Sequence, residues 1–123
     1  MDDLYGEQIL DHWRRSPHRG ALERPDAAAE GLNPLCGDQV RLELALRDGR
    51  LAAVRFGGEG CVISQAAASL LAGLLEGRTI EEARALDREA LLAELGVPLS
   101  PARLKCALLS LAVLREALAQ LPA

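Results

Sequence analysis

Three cysteines carry the chemistry this chain can do. Cys36 stands in Asn33-Pro34-Leu35-Cys36-Gly37-Asp38, Cys61 in Gly58-Glu59-Gly60-Cys61, and Cys106 in Arg103-Leu104-Lys105-Cys106. No two are spaced as C-x-x-C. Each falls at an expected turn or element end. Cys36 and Asp38 are two residues apart where the chain enters a strand, so their side chains point to the same side. The intervening Gly37 permits a tight approach to a ligand. Cys61 precedes an expected helix, whose positive end favours a thiolate. Three soft thiolates and a carboxylate form a four-coordinate donor set for zinc, and thiolates also select iron–sulfur clusters.

The alternative for each cysteine is a small buried hydrophobe. It stays open for Cys106, which lies among Leu104, Ala107 and Leu108. Flanking glycines make it the weaker reading for Cys36 and Cys61. Lys105, the only lysine in the chain, is either a solvated helix residue or a charge that favours the neighbouring thiolate. His12 and His18 read as helix-surface or capping residues rather than ligands, and Arg103 as a surface residue. The turn through Gly58 and Gly60 matches no phosphate-binding or dinucleotide pattern.

Around these residues the pattern is readable. Tyr5, Ile9 and Trp13 recur at helical spacing, so a helix is expected over 3–15, capped by Asp2 or Asp3 and stopped at Ser16-Pro17. A polar loop over 17–26 and a short strand over 27–32 follow. Val40, Leu42, Leu44 and Leu46 alternate with polar or small residues, as in a half-buried strand. Asp48-Gly49 is a hairpin signal, and Ala52, Val54 and Phe56 form the inward face of the return strand. Gly57-Gly58-Glu59-Gly60 then ends the sheet in a turn. Helices are expected from Ser64 to residue 76, after Thr79 as a capping box, over 88–95 behind Asp87, and from Pro101 to about residue 120. The last has a wide apolar surface, either deeply packed or shared with a partner. It permits self-association without requiring it. The order of elements predicts an α+β fold: a small three-stranded antiparallel sheet with helices packed on one face, an N-terminal helix and a long C-terminal helix.

Composition narrows the function. A length of 123 residues fits one domain over 1–123, large enough to bury roughly two-thirds of its unfolded surface without a staple. The net charge of −4 argues against a nucleic-acid partner. No apolar run approaches the roughly 18 residues of a membrane span, and the acidic start lacks a signal-peptide pattern. The expected location is cytoplasmic, where an odd number of cysteines points to metal or thiol chemistry rather than disulfides.

Three ordered segments resemble the IscU/SufU family of NifU N-terminal-like iron–sulfur assembly proteins. They are Asn33-Pro34-x-Cys36-Gly37-Asp38, then Phe56-x-Gly58-x-Gly60-Cys61-x-Ile63-Ser64-x-Ala66-x-Ala68-Ser69, then Pro101-Ala102-Arg103-x-Lys105-Cys106-Ala107. Tyr5, Ile9, Asp11, His12 and Pro17 fit the family's opening helix, so the likeness spans nearly the whole chain. The resemblance implies a scaffold or carrier rather than an enzyme. It would receive sulfur from a pyridoxal-phosphate cysteine desulfurase, assemble a transient [2Fe–2S] cluster and pass it to apo-proteins, and it would hold Zn2+ when isolated. By position the ligands are Cys36, Asp38, Cys61 and Cys106. The persulfide acceptor is Cys61 in the SufU pattern and Cys106 in the IscU pattern, and Arg103 and Lys105 are candidate partner contacts.

The chain departs from both branches. Lys105 stands where IscU-type proteins carry histidine, as in SufU, yet the 62–105 segment is too short for the SufU insertion. Leu99-Ser100-Pro101-Ala102-Arg103 replaces the Leu-Pro-Pro-Val-Lys chaperone motif. Two further readings therefore stand beside the scaffold: a zinc-dependent sulfur relay of the SufU type, and a purely structural zinc module.

Overall fold

A computed structural model of the protein describes residues 6–34 and 37–121. Helix α1 (Gly6–Arg15) leads into strands β1 (Ala27–Asn33), β2 (Asp38–Arg47) and β3 (Arg50–Glu59). Helices α2 (Val62–Leu75), α3 (Ile80–Ala85), α4 (Arg88–Leu95) and α5 (Pro101–Leu118) follow. The strands form one antiparallel sheet in the order β1-β2-β3, so the expected α+β architecture holds. Among the described residues no helix is long and apolar enough to cross a membrane.

The β2–β3 register decides the site. Gln39 pairs with Glu59 at one end of the hairpin and Arg47 with Arg50 at the other, where Asp48 (φ 54°) and Gly49 (φ 77°) make the turn. The start of β2 and the end of β3 therefore lie side by side, and Asp38, the first residue of β2, must meet Gly60-Cys61 just beyond β3. The sheet does not end at Gly57, as expected from its glycines. Gly57 and Gly58 pair with Arg41 and Val40. Gly58 has φ 130°, and a Cβ there would collide with the Gln39 backbone carbonyl. Only glycine lets β3 run this far.

One expected inward residue faces out. Ala45 pairs with Ala53 and Leu46 with Leu51, which leaves Ala52 as the extra residue of a bulge. The slip turns Leu51 into the core, fully buried with Val54 and Phe56, and leaves Ala52 exposed. Leu51 buries far more apolar area than an alanine would, which offsets one broken ladder position.

Helix α2 is buried along most of its length and packs against α1, α5, β3 and α4. Helix α5 crosses β1 and β2. At Gly31 of β1 a Cβ would lie 2.6 Å from Val113 Cγ2, so this glycine sets how closely α5 seats. Most of the wide apolar face of α5 is used here: Ala107, Leu111, Val113, Leu114, Ala117 and Leu118 are all buried. The caps match expectation. Thr79 and Glu82 form both halves of a capping box, Asp87 caps α4, Gly96 ends it in the left-handed region, and Ser100 caps α5 ahead of Pro101.

Helix α1 is turned differently from its expected face. Ile9 is fully buried and Leu10 nearly so, whereas Trp13 is 40% exposed. The inward face continues through His12, whose Nδ1 shares a hydrogen bond of 2.6 Å with Ser69 Oγ on α2. Pairing that polar contact across the interface displaces the indole outward. Asp2, Asp3 and Tyr5, expected to cap and extend α1, lie outside the described residues.

Two carboxylates tie loops to the sheet. Glu43, buried on β2, accepts from the Leu22 amide (2.6 Å) and from Arg41 Nε (2.8 Å). Glu76 accepts from the Val54 amide (2.9 Å) and Arg55 Nη1 (2.8 Å), and its Oε1 lies 3.2 Å from His18 Nε2. Burial pushes both carboxyls up, but their donors outweigh it. Glu43 is held low by the Leu22 amide and Arg41, and Glu76 by the Val54 amide, His18 and Arg55. A carboxylate whose native pKa is depressed adds stability that is present above its unfolded value of 4.5 and is lost as pH falls through the native value. The free energy of unfolding should therefore fall steadily below pH 4.5. A Glu43→Gln/Glu76→Gln variant should be less stable at pH 7 but show a flatter acid limb in urea titrations. Parallel limbs would contradict this.

Candidate metal centre

Asp38 opens β2 and is fully buried. Its two oxygens face different atoms of one residue. Oδ1 accepts from the Cys61 amide at 2.9 Å, and Oδ2 lies 3.7 Å from Cys61 Sγ, which donates to it as a thiol. A buried carboxylate needs such donors to offset its lost hydration. Gly60 makes the approach feasible. It has φ 151°, and a Cβ there would run into Asp38 Oδ1 and sit 2.7 Å from Ser64 Oγ.

Cys61 is the N-cap of α2, so the helix starts two residues earlier than the expected Ser64. Its sulfur accepts from the Ser64 amide at 3.4 Å. Cys61 is half-buried. Cys106 lies in the second turn of α5, 5% exposed, on the face toward the core. Single ligand atoms of Asp38, Cys61 and Cys106 all fall within 4.8 Å of one another. Three of the four residues singled out in the sequence thus converge, from a strand start, a helix cap and a helix face. Cys36 lies outside the described residues. Its neighbour Gly37 has φ 72°, and its amide bonds the Asn33 carbonyl at 2.8 Å. Nothing described lies within 4 Å of a Cβ built on Gly37, so among the described residues it is the left-handed turn that calls for glycine here.

The sulfurs are reachable. Asn33, Cys61, Pro101, Ala102, Arg103, Lys105 and Cys106 line an open cavity of about 480 Å³. Lys105 is exposed and Arg103 half-buried, which puts two cationic side chains on the cavity wall beside the cysteines. His12 and His18 are engaged elsewhere, with Ser69 and Glu76. Two thiols and a carboxylate at this separation suit zinc, and equally an iron centre rich in thiolate.

Gln65 and Arg19 join Ser64 around the Cys61 turn, and neither carries a signal in the sequence. Cysteine is outside the usual N-cap set of Ser, Thr, Asp and Asn, so the helix start was misread and the residues of its first turn with it.

Comparison with known proteins agrees with this geometry. Residues 4–123 match the model of the NifU-like N terminal domain. The iron-sulfur cluster assembly scaffold protein IscU of Thermotoga maritima is 36% identical over 131 aligned positions, covering 94% of this chain and 92% of the relative. The zinc-dependent sulfurtransferase SufU of Bacillus subtilis is 33% identical over 140 positions, covering 98% and 92%. Both alignments run longer than the 123 residues here, so gaps open in this chain within them. A crystal structure from Fervidobacterium islandicum, described as an iron–sulfur cluster assembly scaffold for the SUF system, superposes with a TM-score of 0.81 at 28% identity, covering 95% of this chain and 98% of that one. The match over nearly the whole sequence, on a fold that gathers Asp38, Cys61 and Cys106, means that the chain belongs to the NifU-like N-terminal domain family of IscU and SufU proteins.

Proposed function

We propose that this protein is an iron–sulfur cluster assembly scaffold, on which a [2Fe–2S] cluster is built at Cys36, Asp38, Cys61 and Cys106 and then handed to apo-proteins. One observation carries the reading: two thiols and a buried carboxylate come within 4.8 Å of one another at an open cavity. A closed structural zinc site is usually built from Cys and His alone and has no need of access. The open wall and Asp38 both speak for cargo that arrives and leaves.

Sulfur is taken from the persulfide of a cysteine desulfurase. The Cys61 thiolate attacks the terminal sulfur, the partner's S–S bond breaks, the partner departs as a thiolate, and Cys61 carries the persulfide. Cys61 suits this step better than Cys106 because it is the more exposed of the two. Arg103 and Lys105 sit where an anionic persulfide enters. When zinc occupies the site, it neutralises the clustered thiolates and carboxylate and holds them together. The location consistent with this chemistry is the cytoplasm.

A second reading has an observation of its own. Lys105, which takes the place of histidine, and the 33% identity to a zinc-dependent sulfurtransferase favour a relay that passes persulfide sulfur without building a cluster. Anaerobic incubation with iron, a desulfurase and cysteine separates the two. A [2Fe–2S] absorption band that transfers to apo-ferredoxin supports the scaffold. Protein persulfide with retained zinc and no chromophore supports the relay and overturns the scaffold.

A further inference from the structure

We infer that Arg19, Gln65 and Ser64 form a positioning relay that fixes Cys61 for metal and sulfur, an inference resting on the reading of Cys61 as a ligand. Every polar atom of Cys61 is already held. Its amide donates to Asp38 Oδ1 at 2.9 Å. Its carbonyl accepts from Ser64 Oγ at 3.2 Å and from the Gln65 amide at 3.2 Å. Its sulfur accepts from the Ser64 amide at 3.4 Å. The Ser64 hydroxyl is steered in turn by Gln65 Nε2, which donates to it at 3.3 Å. The carboxamide is steered by Arg19 Nη2, which donates to Gln65 Oε1 at 3.0 Å.

Arg19 is itself anchored. Its neighbours clamp the outer edge of β3, with the Phe56 amide donating to the His18 carbonyl at 2.9 Å and the Gly20 amide donating to the Phe56 carbonyl at 3.0 Å. Its guanidinium carbon lies 4.7 Å from the centroid of the Phe56 ring, a distance at which a cation is attracted to the ring face. The chain of contacts thus runs from an exposed arginine on the loop after α1, through a buried amide, to the cap of α2.

Stability alone does not explain Gln65. It is 3% exposed, next to a run in which Ala66, Ala67, Ala68, Leu71 and Ala72 are all buried. A leucine or methionine at this position would bury apolar area without needing partners. A buried carboxamide must have both its oxygen and its nitrogen satisfied, and here the oxygen draws on a residue 46 positions away. Buried polar residues behind a metal ligand orient it, and their loss typically weakens metal binding about 10- to 100-fold. That is the role the geometry gives to Gln65, with Arg19 holding Gln65 in turn.

The test compares wild type with Arg19→Ala, Arg19→Lys and Gln65→Leu. Three readings are taken: the rate at which zinc is lost to a chromogenic chelator, the ligand-field spectrum with Co2+ in place of zinc, and thermal unfolding of the metal-free protein. Arg19→Ala and Gln65→Leu should release zinc about tenfold faster and shift the cobalt bands. Metal-free Gln65→Leu should unfold no earlier than wild type, and Arg19→Lys, which can still donate to Gln65 Oε1, should recover most of the zinc retention. Wild-type zinc release and spectra in both disrupted variants would overturn the relay. So would losses that track metal-free stability one for one, because the residues would then be merely structural. If wild-type protein shows no thiolate-bound cobalt, the metal reading itself is overturned, and the relay with it.

Discussion

Gly60→Ala should weaken metal binding at least about tenfold while the rest of the fold survives. The position has φ 151°, which side-chain-bearing residues rarely adopt, and the added Cβ would strike Asp38 Oδ1 and approach Ser64 Oγ to 2.7 Å. Neither neighbour can retreat easily, because both are fully buried. Backbone strain of this kind costs on the order of 1–3 kcal/mol. The larger effect is on the site, since the carboxylate displaced is the one that holds the Cys61 amide. Zinc affinity should fall by at least about tenfold, the usual loss when a ligand's support is disturbed. Gly49→Ala is the control. Gly49 also has positive φ (77°) but open space around it, and it sits at the opposite end of the β2–β3 hairpin. It should lose stability and keep its zinc affinity. Competition with a chelator, read beside urea unfolding, separates the two effects. Equal zinc loss in both variants would contradict the explanation.

Asp38→Ala should act in opposite directions on zinc and on a cluster. With one Zn2+, the carboxylate helps neutralise the ion, and its removal should speed zinc release. With a [2Fe–2S] centre held by three thiolates, the same carboxylate is a further buried negative charge and the hardest of the four donors. Its removal should lengthen the cluster's lifetime on the scaffold and slow hand-over to apo-ferredoxin. Asp38→Asn refines the test. An amide oxygen at Oδ1 can still accept from the Cys61 amide, whereas alanine leaves that amide unpaired. Asn should therefore slow cluster release without the looser Cys61 turn expected of Ala. An unchanged cluster lifetime in both variants would mean that Asp38 is not the labile ligand.

The parts of the structure legible in the sequence were those set by local chemistry. Alternation marked β2, Asp48-Gly49 marked the hairpin, and Thr79, Asp87 and Ser100 marked helix starts, because each signal acts within a few residues. The convergence of Asp38, Cys61 and Cys106 was foreshadowed by the glycines beside Asp38 and Cys61 and by the resemblance that joins the three segments. What escaped was decided at long range or by an unusual residue in a familiar role. The bulge at Ala52 has no local mark, since Leu51, Ala53 and Val54 are as apolar as a regular strand would need. Trp13 was placed inward by spacing, but the contact between His12 and Ser69 turned α1 the other way. Cys61 was expected beside a helix rather than as its cap. The link from Arg19 to Gln65 joins residues far apart in the chain, and no periodicity announces it.

X-ray absorption at the zinc edge, on zinc-loaded wild type and Cys36→Ser, tests directly whether the four side chains make one centre. Three sulfur scatterers at about 2.3 Å and one oxygen at about 2.0–2.2 Å are predicted for wild type, with two sulfurs in the variant. A zinc site with only nitrogen and oxygen neighbours, or three sulfurs that persist when Cys36 is replaced, would contradict it.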